Sequence, residues 1–175
     1  MQPFIKQISH AIVQIIESIV YTNVFISIAA VCSHYVFASL QDQEITWLTA
    51  AIIFIGTFLS YNLCIFTLKS PQSPKFVLLW THRKLLKSLW WIGLFILTVL
   101  LYHFVYSTQQ IFVLLHLAII SFFYTIPPFK RSFRQIPYLK IFLVAYVWAT
   151  MAVYFSKVSF AYTTLGLFIG QLCFV

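Results

Sequence analysis

The stretch YTIPPFKRSFRQIPYLK, Tyr124 to Lys140, is the long polar break in the second half of an otherwise apolar chain, and the fold is read outward from it. It holds three prolines, four cations (Lys130, Arg131, Arg134 and Lys140) and no acidic side chain. Pro127, Pro128 and Pro137 remove backbone donors and push the residue before each ring out of the helical region, so no continuous helix runs through it. Uncharged apolar sequence extends for several helical turns on both sides, which makes this stretch a connection at a membrane surface. Its cations either orient the chain in the bilayer or grip an anion there.

Composition supports that placement. The chain is 62% hydrophobic and 8% charged, with a mean hydropathy of +0.94. Soluble domains carry roughly a quarter charged residues, so these values describe a polytopic membrane protein. The net charge of +8 sits between hydrophobic spans. It leaves no polar domain to receive a duplex, which argues against a nucleic-acid partner. Cys32, Cys64 and Cys173 lie far apart in apolar runs and read as small hydrophobes. No cleavable signal peptide is expected.

Taken in order, residues 1–21 space Phe4, Ile8, Ile12, Ile15, Ile16 and Ile19 as an interfacial amphipathic helix or an extension of the first span. The first span is expected over about Thr22 to Phe37, and the second over about Trp47 to Phe66. The acidic loop Gln41-Asp42-Gln43-Glu44 separates them. A basic connection, Lys69 to Lys87, follows, with Phe76 to Trp80 as a candidate surface helix. Ser88 to Phe129 carries no formal charge and is too long for one span. Ser107-Thr108-Gln109-Gln110 divides it into spans Ser88 to Val105 and Ile111 to Tyr124. Tyr138 to Phe155 makes a fifth span, with Lys140 near enough to its end to snorkel. Ser159 to Val175 makes a sixth, where Gly166 and Gly170 permit close helix contact. A chain ending inside a span points to a fragment of a longer protein. Nearly all the cations fall at the N-terminus and in the two basic connections, so the positive-inside rule puts these in the cytoplasm.

Few side chains offer chemistry. Glu17, Asp42 and Glu44 are the only carboxylates, and two of them lie in the loop opposite the basic connections. Mg²⁺ bound with a diphosphate calls for one or two carboxylates, which the cytoplasmic face of this chain does not supply. His34, His103 and His116 are expected towards the outer side. A facing pair of imidazoles there can ligate haem or act on a quinol, but nothing in the spacing requires it. Trp47, Trp90, Trp91, Tyr102 and Tyr106 match an aromatic belt. Asn62 places an amide near the inner end of span two, where it bonds a neighbouring helix or contacts a ligand.

The segment Tyr124-Thr125-Ile126-Pro127-Pro128-Phe129-Lys130-Arg131 resembles the Tyr-Ser-x-Pro-Pro and Tyr-Pro-x-x-Lys-Arg loop of UbiA-type intramembrane prenyltransferases. Its sequel, Ile136-Pro137-Tyr138-Leu139-Lys140 leading into a span with Trp148, resembles that family as well. Asn62 falls where the family opens its first aspartate-rich motif. The resemblance implies an all-helical membrane bundle, of which residues 1–175 form the N-terminal two-thirds as a single domain. It implies a polyprenyl diphosphate bound through Mg²⁺ and a prenyl group passed to a lipophilic acceptor. Lys130 and Arg131 would hold the diphosphate, Tyr124 would orient it, and Arg134 and Lys140 would add charge. Where the family has aspartates after Asn62, this chain has Leu63, Phe66 and Ser70, and the second motif would fall beyond Val175. Ordinary prenyl transfer therefore lacks its metal ligands here, and no residue is assigned a catalytic role. The expectation is a six-span, all-α, UbiA-like membrane protein related to prenyltransferases. The alternative is a non-catalytic isoprenoid-binding or partner-binding protein, and a more distant one is a transporter component.

Overall fold

The structure is a computed structural model that describes residues 19–40, 44, 46–66, 74–104, 108–126 and 136–155. Among these residues the protein is all-helical. The elements are α1 (Val24–Ser39), α2 (Trp47–Asn62), a 3-10 turn η1 (Leu63–Phe66), α3 (Pro74–Thr81), α4 (Arg83–Phe104), α5 (Thr108–Thr125) and α6 (Pro137–Phe155). The expected spans one to five fall on α1, α2 with η1, α4, α5 and α6. The expected sixth span, Ser159 to Val175, and most of the N-terminal amphipathic segment lie outside the described residues.

Local chemistry sets the helix ends. Thr46 is extended, and its side chain accepts from the Thr49 N–H at 3.2 Å, capping the start of α2. The opposite end has no glycine stop; the helix instead tightens into η1, which uses up some terminal carbonyls. α5 stops at Thr125, where Ile126 precedes Pro127 and is steered away from the helical region. α6 opens on Pro137, whose missing N–H costs nothing at a first helical position. α4 begins at Arg83, earlier than the expected Ser88, because Arg83, Lys84 and Lys87 have long stems that continue the helix. Arg83 lies 4.1 Å from the centre of the Trp80 ring on α3.

α2 is the central helix, packing against α1, α4, α5 and η1, while α6 joins α1 to α5. Gly93 on α4 allows the close approach to α2: a Cβ there would stand 3.2 Å from Leu59 Cδ2 and 3.7 Å from Ile55 Cγ2. Nearby, η1, α3 and α4 bury Ile65, Leu79 and Leu86 together.

The α1–α2 contact is locked by two amides. Asn23 takes a left-handed conformation (φ 63°), which asparagine tolerates better than most residues, and so breaks residues 19–21 from α1. The break leaves the Thr22 carbonyl outside a regular helix, and Asn62 Nδ2 donates to it at 2.8 Å. Asn62 Nδ2 also donates to the Phe58 carbonyl at 2.9 Å, and Asn62 Oδ1 accepts from Asn23 Nδ2 at 3.1 Å. Asn23 Nδ2 reaches the Tyr61 carbonyl at 3.4 Å. Asn62 is 0% exposed and Asn23 2%. Since the start of α1 meets the end of α2, the two helices run antiparallel.

Among the described residues, two helices are long and apolar enough to cross a membrane: Trp47–Phe66, with 20 residues, and Arg83–His103, with 21. Val24–Ser39, Phe112–Thr125 and Ile141–Met151 are shorter apolar helices. Unlike a helix of a soluble protein, α4 is apolar on its outward face. Leu85, Leu89, Ile92, Ile96, Val99 and Tyr102 follow helical spacing down one face, and all are exposed.

The amide lock predicts coupled stability losses. Asn23→Ala and Asn62→Ala should each destabilise the detergent-solubilised protein, and the double variant should lose less than the sum of the two by about 1 kcal/mol. A thermodynamic cycle from denaturant titrations measures this, and strict additivity would show that the two amides act independently.

Candidate functional site

A cavity of about 440 Å³ lies between α1, α2, α4, α5 and α6. Its long wall is one stripe of α4, Trp90, Leu94, Leu97 and Leu101, which spans roughly 16 Å at the helical rise. Facing this stripe are Ile52, Ile53, Gly56 and Leu59 of α2, with Leu117 and Ala118 of α5 and Val144 and Trp148 of α6 completing the ring. The space exists because small side chains sit where large ones would meet. A Cβ added to Gly56 would find nothing within 4 Å, in contrast to the tight setting of Gly93. Ala30, Ser33, Ser60 and Ser121 are further small wall residues. The size lies within the ~300–1,000 Å³ typical of small-molecule sites.

One end of the cavity is aromatic, and a cation stands behind the aromatic cluster rather than in the wall. Trp90 Nε1 donates to the Leu59 carbonyl at 3.0 Å, which fixes the indole against the end of α2. Phe66 meets Trp90 edge-on at 4.9 Å, and Lys87 Nζ stands 5.4 Å from the centre of the Phe66 ring. Tyr61, Leu63 and Tyr124 line the cavity at this end. Glu44, exposed, precedes the other end of α2 and so stands at the opposite end of the bundle.

Among the residues the sequence singled out, Tyr124 is half-buried in the cavity wall, and Trp148, from the same resemblance, lines the cavity too. Asn62, buried and not a lining residue, stands in the chain between the lining residues Tyr61 and Leu63, with both donors of its amide in use. Of its two sequence readings, the bond to a neighbouring helix is the one visible here. Lys130, Arg131 and Arg134 lie outside the described residues. Lys140 belongs to the first turn of α6, and its side chain is outside the description.

The Mg²⁺ implied by the resemblance does not fit the residues after Asn62. Cys64 and Ile65 are buried, Ile65 in the cluster with Leu79 and Leu86, and Leu63 faces the apolar cavity. None of these offers the hard oxygen ligands that Mg²⁺ needs. Elsewhere among the described residues, no three His, Cys, Asp or Glu side chains stand together as a ligand set. The three expected histidines are separately placed. His116 Nε2 pairs with Tyr146 Oη at 3.0 Å, His103 is exposed beside Tyr102, and His34 is buried against the cavity.

Several contributors escaped sequence reading. Asn23 carries the same signal as Asn62, an amide within an apolar run. Trp90 and Trp91 read alike as belt residues, yet only Trp91 is turned outward, at 59% exposure. Gly56 carried no signal, because its role depends on what the neighbouring helices leave empty. The chain matches no protein-family model, no curated protein and no solved structure.

The contrast between the two glycines is testable. Gly56→Leu should fill cavity space with no loss of thermal stability, the helix also gaining over glycine by ~0.5–1 kcal/mol. Gly93→Leu should destabilise by about 1–3 kcal/mol through overpacking. Melting curves in one detergent compare them, and equal losses for both would contradict an open space at Gly56.

Proposed function

We propose that the protein is a six-span, UbiA-like integral membrane protein that binds an isoprenoid diphosphate, with the hydrocarbon chain in the cavity and the diphosphate at the Tyr124 end. The observation that carries the reading is the cavity itself: a mainly apolar space within a helical bundle, bordered by both Tyr124 and Trp148. An isoprenoid chain in it would exchange lipid or water for close-packed side chains, and the rim around Lys87 would favour an anionic head.

The membrane placement is supported by the outward apolar faces. Phe25, Tyr35, Phe95, Phe112 and Phe142 are all exposed, and only 6% of the Arg83–His103 span is buried. Such a surface is costly in water and neutral in hydrocarbon. With α1, α2, α4, α5, α6 and the Ser159 to Val175 segment as six spans, the two basic connections share one side. The positive-inside rule makes that side cytoplasmic. Lys130 and Arg131 come after α5, the helix that carries Tyr124, beyond Ile126 to Phe129, and in this reading their charges hold the diphosphate.

Binding is the favoured activity rather than prenyl transfer, because Leu63, Phe66 and Ser70 occupy the positions from which the resemblance would draw metal ligands. Protein in nanodiscs should bind farnesyl diphosphate saturably and with the same affinity in EDTA. Lys130→Ala and Arg131→Ala should each weaken binding by about tenfold or more, the worth of a charge-assisted hydrogen bond. Mg²⁺-dependent release of diphosphate would instead establish a transferase. Absence of binding with or without Mg²⁺ would refute the proposal.

A further inference from the structure

The start of α4 gathers positive charge that the chain cannot neutralise. Arg83 and Lys84 are exposed on its first turn, and Lys87 is half-buried one turn further on. His82 alone separates them from α3, and the Arg83 guanidinium lies 4.1 Å from the centre of the half-buried Trp80 ring. Like charges four residues apart, as Arg83 and Lys87 are, repel one another on a helix. The whole chain has three carboxylates, Glu17, Asp42 and Glu44. Glu44 stands at the opposite end of the bundle and Asp42 is two residues before it in the chain, which leaves Glu17 at most. Residues 67–73 and 127–135, in the two basic connections, bring Lys69, Lys130, Arg131 and Arg134 and no acid. The shortage of negative charge is thus a property of the whole sequence, and the balancing anions come from outside the chain.

Length fixes the depth at which those anions lie. The span Arg83–His103 has 21 residues, roughly 31 Å at the helical rise, which matches the ~30 Å hydrocarbon layer. With α4 crossing the membrane, Arg83 and Lys84 sit at the edge of that layer, level with lipid phosphates. The side chains around them suit that depth. Trp80 is an aromatic of the interfacial kind, Val77 and Leu85 expose apolar surface, and Thr81, His82 and Ser88 expose polar groups. An arginine laid against an indole keeps its N–H edge free to fork onto phosphate oxygens. Trp80, Arg83 and Lys84 do not line the cavity, so this cluster is separate from the site described above. We propose that the corner between α3 and α4 is a docking surface for the headgroups of anionic phospholipids, with Arg83 and Lys84 binding phosphate and Trp80 orienting Arg83. The proposal rests on the membrane placement given above, but not on isoprenoid binding.

Native mass spectrometry of the full chain in detergent tests this, by titration with phosphatidylglycerol and with phosphatidylcholine of the same acyl chains. Wild-type protein should prefer phosphatidylglycerol by about 25-fold, each of the two cations contributing about fivefold near an anionic headgroup. Arg83→Gln and Lys84→Gln should each lower that ratio about fivefold. Both side chains are exposed, so neither variant disturbs the packed interior. Lys157→Gln, which removes one charge outside the basic connections, should leave the ratio unchanged. Equal affinity of the wild type for the two lipids overturns the docking surface. So does a ratio unmoved in both Arg83→Gln and Lys84→Gln, or one that falls as far in Lys157→Gln. Farnesyl diphosphate binding is measured on the same variants and should be unchanged. Its loss in Arg83→Gln with the lipid ratio kept would give these cations to the diphosphate and overturn the proposal. A wild type that binds no farnesyl diphosphate yet keeps its lipid preference refutes the cavity reading and leaves this surface standing.

Discussion

Every polar group inside an apolar bundle must find its partner within the protein, because the surroundings supply none. The Asn23–Asn62 pair is where this constraint shapes the structure most. A left-handed residue breaks the chain before α1 and exposes a carbonyl, and an amide from the central helix fills the gap at 2.8 Å. The two helices are thereby fixed in register at one end, and α2 becomes the element on which α1, α4 and α5 are assembled. With that end held, small residues further along α2 and α5 leave an unfilled space instead of a collapsed interface.

The same rule distinguishes the two ends of the cavity. Near Asn62 the polar groups are satisfied: the Trp90 indole has the Leu59 carbonyl, and Lys87 rests over the Phe66 ring. At the other end the buried Nδ1 of His34 has no hydrogen-bond partner among the described residues.

Much of the helix layout was legible because it rests on composition and on local stops. Pro127 and Pro137 bracket the α5–α6 connection, and uninterrupted apolar runs supply the lengths. Boundaries moved where side-chain stems or turns intervened: Arg83 and Lys87 extended α4, and η1 shortened α2. The site was less legible. Tyr124 and Trp148 could be singled out by resemblance, but that they share a cavity depends on helix rotation, which uniformly apolar helices do not reveal. The difference between Gly56 and Gly93, or between Trp90 and Trp91, appears only when the facing helix is in place. The cations Lys130, Arg131 and Arg134, on which the sequence reading leans, lie outside the described residues.

The central claim is that the space between α2, α4, α5 and α6 belongs to a lipid. An experimental density map of the protein in a lipid nanodisc tests this most directly. The account predicts elongated density running between Tyr124 and His34, bounded by Leu97 on one side and Trp148 on the other. A map in which Leu94, Leu97 and Trp148 close against Gly56 and leave no room would contradict it.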